Sequence, residues 1–237
     1  MSMKWQAKIL GWLMLCVTGT ALCAPPSSIN ATYAIYKSNL KIGQINETFS
    51  INNNHYSVTS TTRAVGLLAL FQPGKISIVS SGLVNEHGLQ PLHFIDHRDR
   101  EDNKNRGAEF NWTTKKLTLT HETKSNIVSL HDGTQDRLSA MYQFMFVSLG
   151  KSDSLNFYMT NGSKVDMYNY SITPNQSVTV PLGTFKTLYL ASIPEADASK
   201  TEIWLATEHN NFPYKMIITD KDGDKLTQVL TKIDFVP

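Results

Sequence analysis

Apolar and polar residues trade places along most of this chain with a period of two. Ile45, Phe49 and Ile51 share one parity, and Tyr56 and Val58 resume the pattern after Asn52-Asn53-Asn54. Leu155, Phe157 and Met159 repeat it, then Phe212, Tyr214, Met216 and Ile218, and finally Val229, Ile233 and Phe235. Successive side chains of an extended strand point to opposite faces, so this alternation predicts strands with one buried side. Turn chemistry separates the runs at Gly74, Asn85 to Gly88, Asn161-Gly162 and Asp222-Gly223. Asn-Gly and Asp-Gly tolerate the positive φ of tight hairpin turns. About a dozen strands joined by short turns imply antiparallel neighbours.

Two stretches depart from that period. From Thr134 to Gly150, Leu138, Met141, Tyr142, Met145, Phe146 and Leu149 recur at spacings of three and four. This predicts an amphipathic helix over Thr134 to Leu149, with Thr134 as its cap and Gly150 as its stop. The other stretch, Ala64 to Phe71, is an unbroken run of non-polar residues ended by Gln72-Pro73-Gly74. A strand with one wet side does not look like this. It is either a short helix plugging one end of the core or a lid or greasy rim over a ligand cavity.

The expected architecture is all-β and mainly antiparallel: a highly curved sheet or incomplete barrel, with the helix from Thr134 to Leu149 packed on its concave face. Such a cavity would draw on Leu67, Leu68, Leu70 and Phe71 together with Met141 and Met145. Methionines suit adaptable apolar sites, although core packing is their commoner task.

The first residues assign a compartment. Lys4 and Lys8 precede an apolar run from Ile9 to Val17, then small residues, then Cys23-Ala24-Pro25-Pro26. That order reads as a secretory signal peptide, cleaved near Cys23. The expected organisation is a signal at 1–23, a short leader at 24–30 and a single β-rich domain at 31–237. Lys4 and Lys8 are the only charged residues before position 25, so removal of the signal takes the 22 basic residues to 20, against 20 acidic ones. A neutral chain offers no electrostatic attraction to nucleic acid or to an anionic surface. Cys16 and Cys23 are the only cysteines, so the mature domain folds without an internal disulfide. Past the signal, no run reaches the ~18 apolar residues of a membrane span.

Candidate chemistry is sparse. His93, His97 and Asp99 share a strand face with Ile95 and contain zinc-ligand types. The run from Asp96 to Arg106 nevertheless alternates charges, which describes a solvated hairpin end. Asp220, Asp222 and Asp224 suggest calcium, but the glycine falls fourth, where a calcium loop needs it sixth. No nucleophile elbow, phosphate loop or dinucleotide fingerprint occurs. The reading leans away from an enzyme and requires no cofactor and no catalytic or metal-binding residue.

A series of short motifs carries a resemblance. Tyr33-Ala-Ile-Tyr36, Leu40-Lys-Ile-Gly43, Ser80-Ser-Gly82-Leu and Gly88-Leu-Gln-Pro91-Leu-His-Phe94 are followed by Asp136-Arg-Leu-Ser139-Ala-Met-Tyr142. Val180-Pro-Leu-Gly-Thr-Phe185, Glu202-Ile-Trp-Leu-Ala206 and Phe212-Pro-Tyr-Lys-Met216 complete it. In this order they resemble the bacterial family called domain of unknown function 3108. The resemblance implies an exported β protein of Gram-negative bacteria. Its fold would be similar to the half-barrel of the outer-membrane lipoprotein-sorting carriers, where a curved sheet wraps helices around an apolar cavity. It implies no catalytic residue. The expected function is therefore a non-catalytic periplasmic binding or envelope-maintenance module for an apolar or lipid-like ligand. The alternatives are an envelope-polymer hydrolase, or a scaffold that binds another envelope protein by a sheet edge.

Overall fold

The computed structural model describes residues 25–66, 68–71, 74–99, 101–150, 152–193 and 199–236, with only the backbone of Phe71. The expected signal peptide at 1–23 and Leu67 lie outside the described residues. One mostly antiparallel sheet dominates. Its strands are β1 (Ser28–Lys37), β2 (Leu40–Asn52), β3 (His55–Ala64), β4 (Lys75–Asn85), β5 (Gly88–Arg98), β6 (Arg106–Asn111), β7 (Lys116–His121) and β8 (Lys124–Ser129). They continue as β9 (Gln135–Asp136), β10 (Ser154–Thr160), β11 (Val165–Val180), β12 (Gly183–Ser192), β13 (Lys200–Ala206), β14 (Phe212–Thr219) and β15 (Lys225–Val236). Two short helices interrupt them, α1 (Leu68–Phe71) and α2 (Ser139–Gln143). Strand β1 takes in the last three residues of the expected leader.

The first described strand lies in the middle of this sheet. β1 pairs with β2 on one side and with β15 on the other. One arm runs from β2 outward to β8, the other from β15 back to β10, with β9 added in parallel at the far end. The sheet is not closed into a barrel; β8 and β9 are its two ends. Asparagines make several of the reversals: Asn53 and Asn54 have φ of 48° and 61°, and Asn210 and Asn211 have 52° and 59°. Asparagine tolerates this left-handed region better than other side chains do, because its amide bonds the local backbone.

The arms come together where the segment between β8 and β10 returns through the interior. Gln135 donates its side-chain amide to the Leu89 carbonyl, and Ser80 donates its hydroxyl to Asp136 at 2.5 Å. A Cβ at Gly162 would lie 2.9 Å from the Arg106 Cβ, 3.0 Å from the Gly107 nitrogen and 3.2 Å from Cε1 of the Phe94 ring. The β10–β11 turn therefore rests directly on β6.

The long helix is not formed. Only Ser139–Gln143 is helical, and Gln135–Asp136 pair with Met159–Thr160 as β9. The physical reason is burial on several sides. Tyr142, Phe144, Met145 and Leu149 are all buried. A regular helix would give them one shared stripe; here they serve two clusters. Tyr142 stacks on Phe49 of the first arm at 4.9 Å and meets Phe212 of the second arm edge-on, within the larger cluster. Phe144 and Leu149 pack with Tyr170, Leu190, Ile203 and Leu205, under the second. Gln143 adds a tether, accepting the Leu89 N–H and donating to the His87 carbonyl. Tertiary contacts here outweigh a helical pattern of modest intrinsic strength. Thr134, expected as a cap, instead donates its hydroxyl to the His131 carbonyl.

Candidate functional site

The lower half of the curved sheet is filled by aromatic side chains, and the upper half is hollow. A cavity of about 880 Å³ lies there, within the size range of small-ligand sites. Its walls follow from strand parity. Ile35 on β1, Ile45 on β2, Ile76 and Ile78 on β4, and Met216 and Ile218 on β14 all fall on concave-facing positions. α2 and its approach supply the floor: Leu138 and Met141 face the cavity, while Tyr142 belongs to the core beneath.

The antiparallel register sets which turns surround the opening. Lys37 lies opposite Leu226 and Arg63 opposite Lys75, so the β1–β2, β3–β4 and β14–β15 turns share one end. The β12–β13 turn shares it too. Among the described residues, six of the ten exposed large apolar side chains fall at this end: Leu40, Leu68, Leu70, Met167, Ile193 and Leu226. Leu70 is 75% exposed and Ile193 is 64% exposed. Met167, Ile193 and Leu226 also line the cavity, so the apolar surface runs continuously from rim to interior.

The six residues expected to form a site divide accordingly. Met141 is on the cavity wall, and Met145 is buried in the core below. Leu68 and Leu70 are exposed on α1 at the open end. Leu67 and the Phe71 side chain fall outside the described residues. The β-strand isoleucines of the wall were missed. The available signal was the repetition of inward apolar residues at the same end of consecutive strands.

Charge is distributed unevenly. Glu47 faces the cavity near its floor, where its carboxylate accepts hydrogen bonds from Ser60 at 2.9 Å and Tyr142 at 3.0 Å. Burial pushes its pKa up, partly offset by those two hydrogen bonds. Tyr33 lies beside it, its hydroxyl donating to the Pro213 carbonyl at 3.0 Å. Near the opening, Arg98 and Arg137 line the wall. Behind them Asp96 is fully buried, accepting from the Arg137 Nη2 at 2.9 Å and facing the Arg98 Nη2 at 3.6 Å. The expectation that the run from Asp96 is a solvated hairpin end is therefore incorrect at its first residue. Strand parity puts Phe94 and Asp96 inward, whereas His93, Ile95 and His97 are exposed. His93 hydrogen-bonds Glu109, and His97 lies 3.6 Å from Asp99. Among the described residues, no three histidine, cysteine or acidic side chains group as metal ligands. Asp220 instead accepts the backbone N–H groups of Asp222 and Asp224, as an ordinary turn residue does.

The raised pKa of Glu47 has a measurable consequence. The folded protein holds this proton to higher pH than the unfolded chain does. The associated stability is fully present below the ordinary carboxylate range near about pH 4 and is lost as pH climbs through the raised value. Between pH 4 and pH 8 the wild type should lose more melting temperature than Glu47→Gln, which has nothing to titrate there. Parallel curves for the two proteins would contradict a raised Glu47 pKa.

The family described as "Protein of unknown function (DUF3108)" matches residues 30–231. The chain belongs to that family. Among solved structures, this DUF3108 protein is similar to a β-barrel-like protein of domain of unknown function DUF1849 from Brucella abortus. The TM-score is 0.58 at 13% identity, over 90% of this chain and 100% of that one. A Bacteroides fragilis protein described as exported, with a YmcC-like fold, aligns with a TM-score of 0.38 at 11% identity, over 89% of this chain and 97% of its own. A Parabacteroides distasonis protein described as a lipoprotein gives 0.36 at 10%, over the same shares. No curated protein matches the sequence significantly. The Brucella likeness agrees with the DUF3108 fold seen here. Among the described residues, no helix is long and apolar enough to cross a membrane.

Proposed function

We propose that this protein is exported to the periplasm and binds an apolar or lipid-like ligand without chemically altering it. The observation that carries the reading is the cavity of about 880 Å³ whose apolar wall is continuous with an exposed apolar rim. Solvent-exposed leucines and isoleucines grouped at one opening are costly in water unless something apolar passes over or through them. Export is supported by the n-region, h-region and small-residue order of residues 1–23, with cleavage near Cys23 and a single β domain over 31–237. Leu68 and Leu70 would form part of the entrance and Met141 part of the floor; Leu67 and Phe71 belong to the same proposed entrance segment.

N-phenylnaphthylamine, which fluoresces in apolar surroundings, tests this directly. The mature protein should take it up in a saturable manner. Ile78→Trp, which projects an indole into the cavity, should weaken uptake at least about tenfold, since a filled cavity forfeits the burial of the probe. The urea midpoint should stay close to that of the wild type. Native mass spectrometry of protein taken from its own periplasm should show a co-purifying lipid. Absence of both probe uptake and bound lipid would remove the proposal.

A further inference from the structure

We propose that the ligand is recognised by an acidic head group, a carboxylate or phosphate, held between Arg98 and Arg137 at the cavity opening. This rests on the amphiphile reading above and specifies which end of the ligand the protein selects.

Two guanidinium groups converge on one carboxylate. Arg98 and Arg137 both reach Asp96, and Arg106 acts on Arg137 as a further nearby positive charge. A buried aspartate needs one well-placed arginine; the second is not required for its neutralisation. The Nε groups of Arg98, Arg106 and Arg137 are buried and have no hydrogen-bond partner among the described residues. The Asp96 Oδ1 is likewise unpartnered, which leaves the aspartate only one oxygen engaged. Buried donors of this kind cost stability until an acceptor reaches them.

The remaining charges around the cavity do not cancel the surplus. Lys164 is paired with Asp166 at 2.6 Å. Lys215 lies over the Trp204 ring at 5.0 Å. Glu47 is at the floor and is engaged by Ser60 and Tyr142. Of the six charged side chains that line the cavity, four are basic and two are acidic.

Position gives the arrangement its meaning. Arg98 is the last residue of β5. The Arg137 backbone N–H is bonded to the carbonyl of Thr160, the last residue of β10. Both strands end at the open side, and the isoleucine walls lead inward from there. An amphiphile would leave its acidic group at the rim and send its chain toward Met141. Guanidinium forks match the two oxygens of a carboxylate or phosphate, and partial burial strengthens the contact.

Displacement of N-phenylnaphthylamine by three ligands of equal chain length, hexadecanoate, hexadecyl phosphate and hexadecanol, separates the possibilities. The two acids should displace the probe at concentrations about tenfold or more below the alcohol, as charge-assisted bonds require. Arg98→Gln should erase most of that preference and leave hexadecanol unchanged. Asp96→Asn, which removes the competing carboxylate, should move the preference the other way. A phosphate stronger than the carboxylate indicates a phospholipid source, and the reverse indicates a fatty acid. Equal displacement by acids and alcohol, unaltered in Arg98→Gln, would overturn the head-group assignment while leaving the cavity reading intact. Failure of the probe itself to bind would overturn both.

Discussion

Gly82→Ala is expected to destabilise the protein by about 3 kcal/mol or more, because the added methyl would collide with backbone. A Cβ at this position would lie 2.1 Å from the Gln90 carbonyl oxygen and 2.9 Å from both the Leu92 nitrogen and the Pro91 Cα. None of these atoms belongs to a flexible side chain. The register of β4 and β5 shifts between Ser81 and Gly82, so Ser81 faces His93 while Gly82 faces Pro91. The bulge pulls β5 onto the glycine, and Pro91 suits the site because it has no N–H to place there. Its carbonyl is held separately by the Trp112 indole N–H at 2.7 Å. Accepting a methyl would mean prising β5 from β4 next to Phe94, a fully buried core residue. Gly150 is the internal control, since a Cβ there meets nothing within 4 Å. Urea unfolding should show Gly150→Ala within about 0.5 kcal/mol of the wild type. Equal midpoints for Gly82→Ala and the wild type would mean that this strand pair is not packed as described.

Much of the fold was legible because strand parity is a local property. Phe49, Tyr56 and Val58 were placed inward by alternation alone, and all three are buried. Register shifts lie opposite Gly43 and beside Gly82, two glycines of the short motifs. The interior segment was harder. Spacings of three and four around Tyr142 are what a helix would produce. They are also what a coil produces when residues such as Phe144 and Tyr142 must serve two different clusters. Nothing in a window of fifteen residues reveals that β4 and β5 are waiting on one side and β13 on the other.

The cavity was legible in kind and less so in composition. Met141 and the apolar run at Leu68 and Leu70 were identified because they break the strand pattern. Ile35, Ile45, Ile76 and Ile78 conform to it, so nothing set them apart from core residues. Whether an inward isoleucine meets a neighbour or open space depends on what fills the sheet from the far side. Here that is decided by where α2 sits. Asp96 was misread for a related reason: a charge run looks solvated until the partner arginine, Arg137, arrives from 41 positions away.

Asp136→Ala is expected to cost about 4 kcal/mol, the sum of several orphaned buried donors, and to empty the cavity of its floor. Asp136 is fully buried. One carboxylate oxygen accepts from Ser80 at 2.5 Å, and the other accepts the N–H groups of Leu138 at 2.9 Å and Ser139 at 2.8 Å. Its own N–H is donated to the Ser139 hydroxyl at 3.0 Å. Ser80 in turn shares a 3.0 Å hydrogen bond with the Tyr56 hydroxyl. One side chain thereby ties β3 and β4 to the segment that carries Leu138 and Met141. Alanine would strand the Ser80 hydroxyl and two backbone N–H groups in a dry site. Asp136→Asn keeps one acceptor for the backbone pair and should cost far less. Burial also raises the Asp136 pKa, so its contribution, like that of Glu47, declines as pH rises through the shifted value. The advantage of the wild type over Asp136→Asn should accordingly be greatest near about pH 4 and shrink toward neutrality. Urea unfolding across this pH range checks the sign, and uptake of N-phenylnaphthylamine by Asp136→Ala under folding conditions checks the floor. If that variant bound the probe as tightly as the wild type, the cavity would not depend on where Asp136 anchors α2.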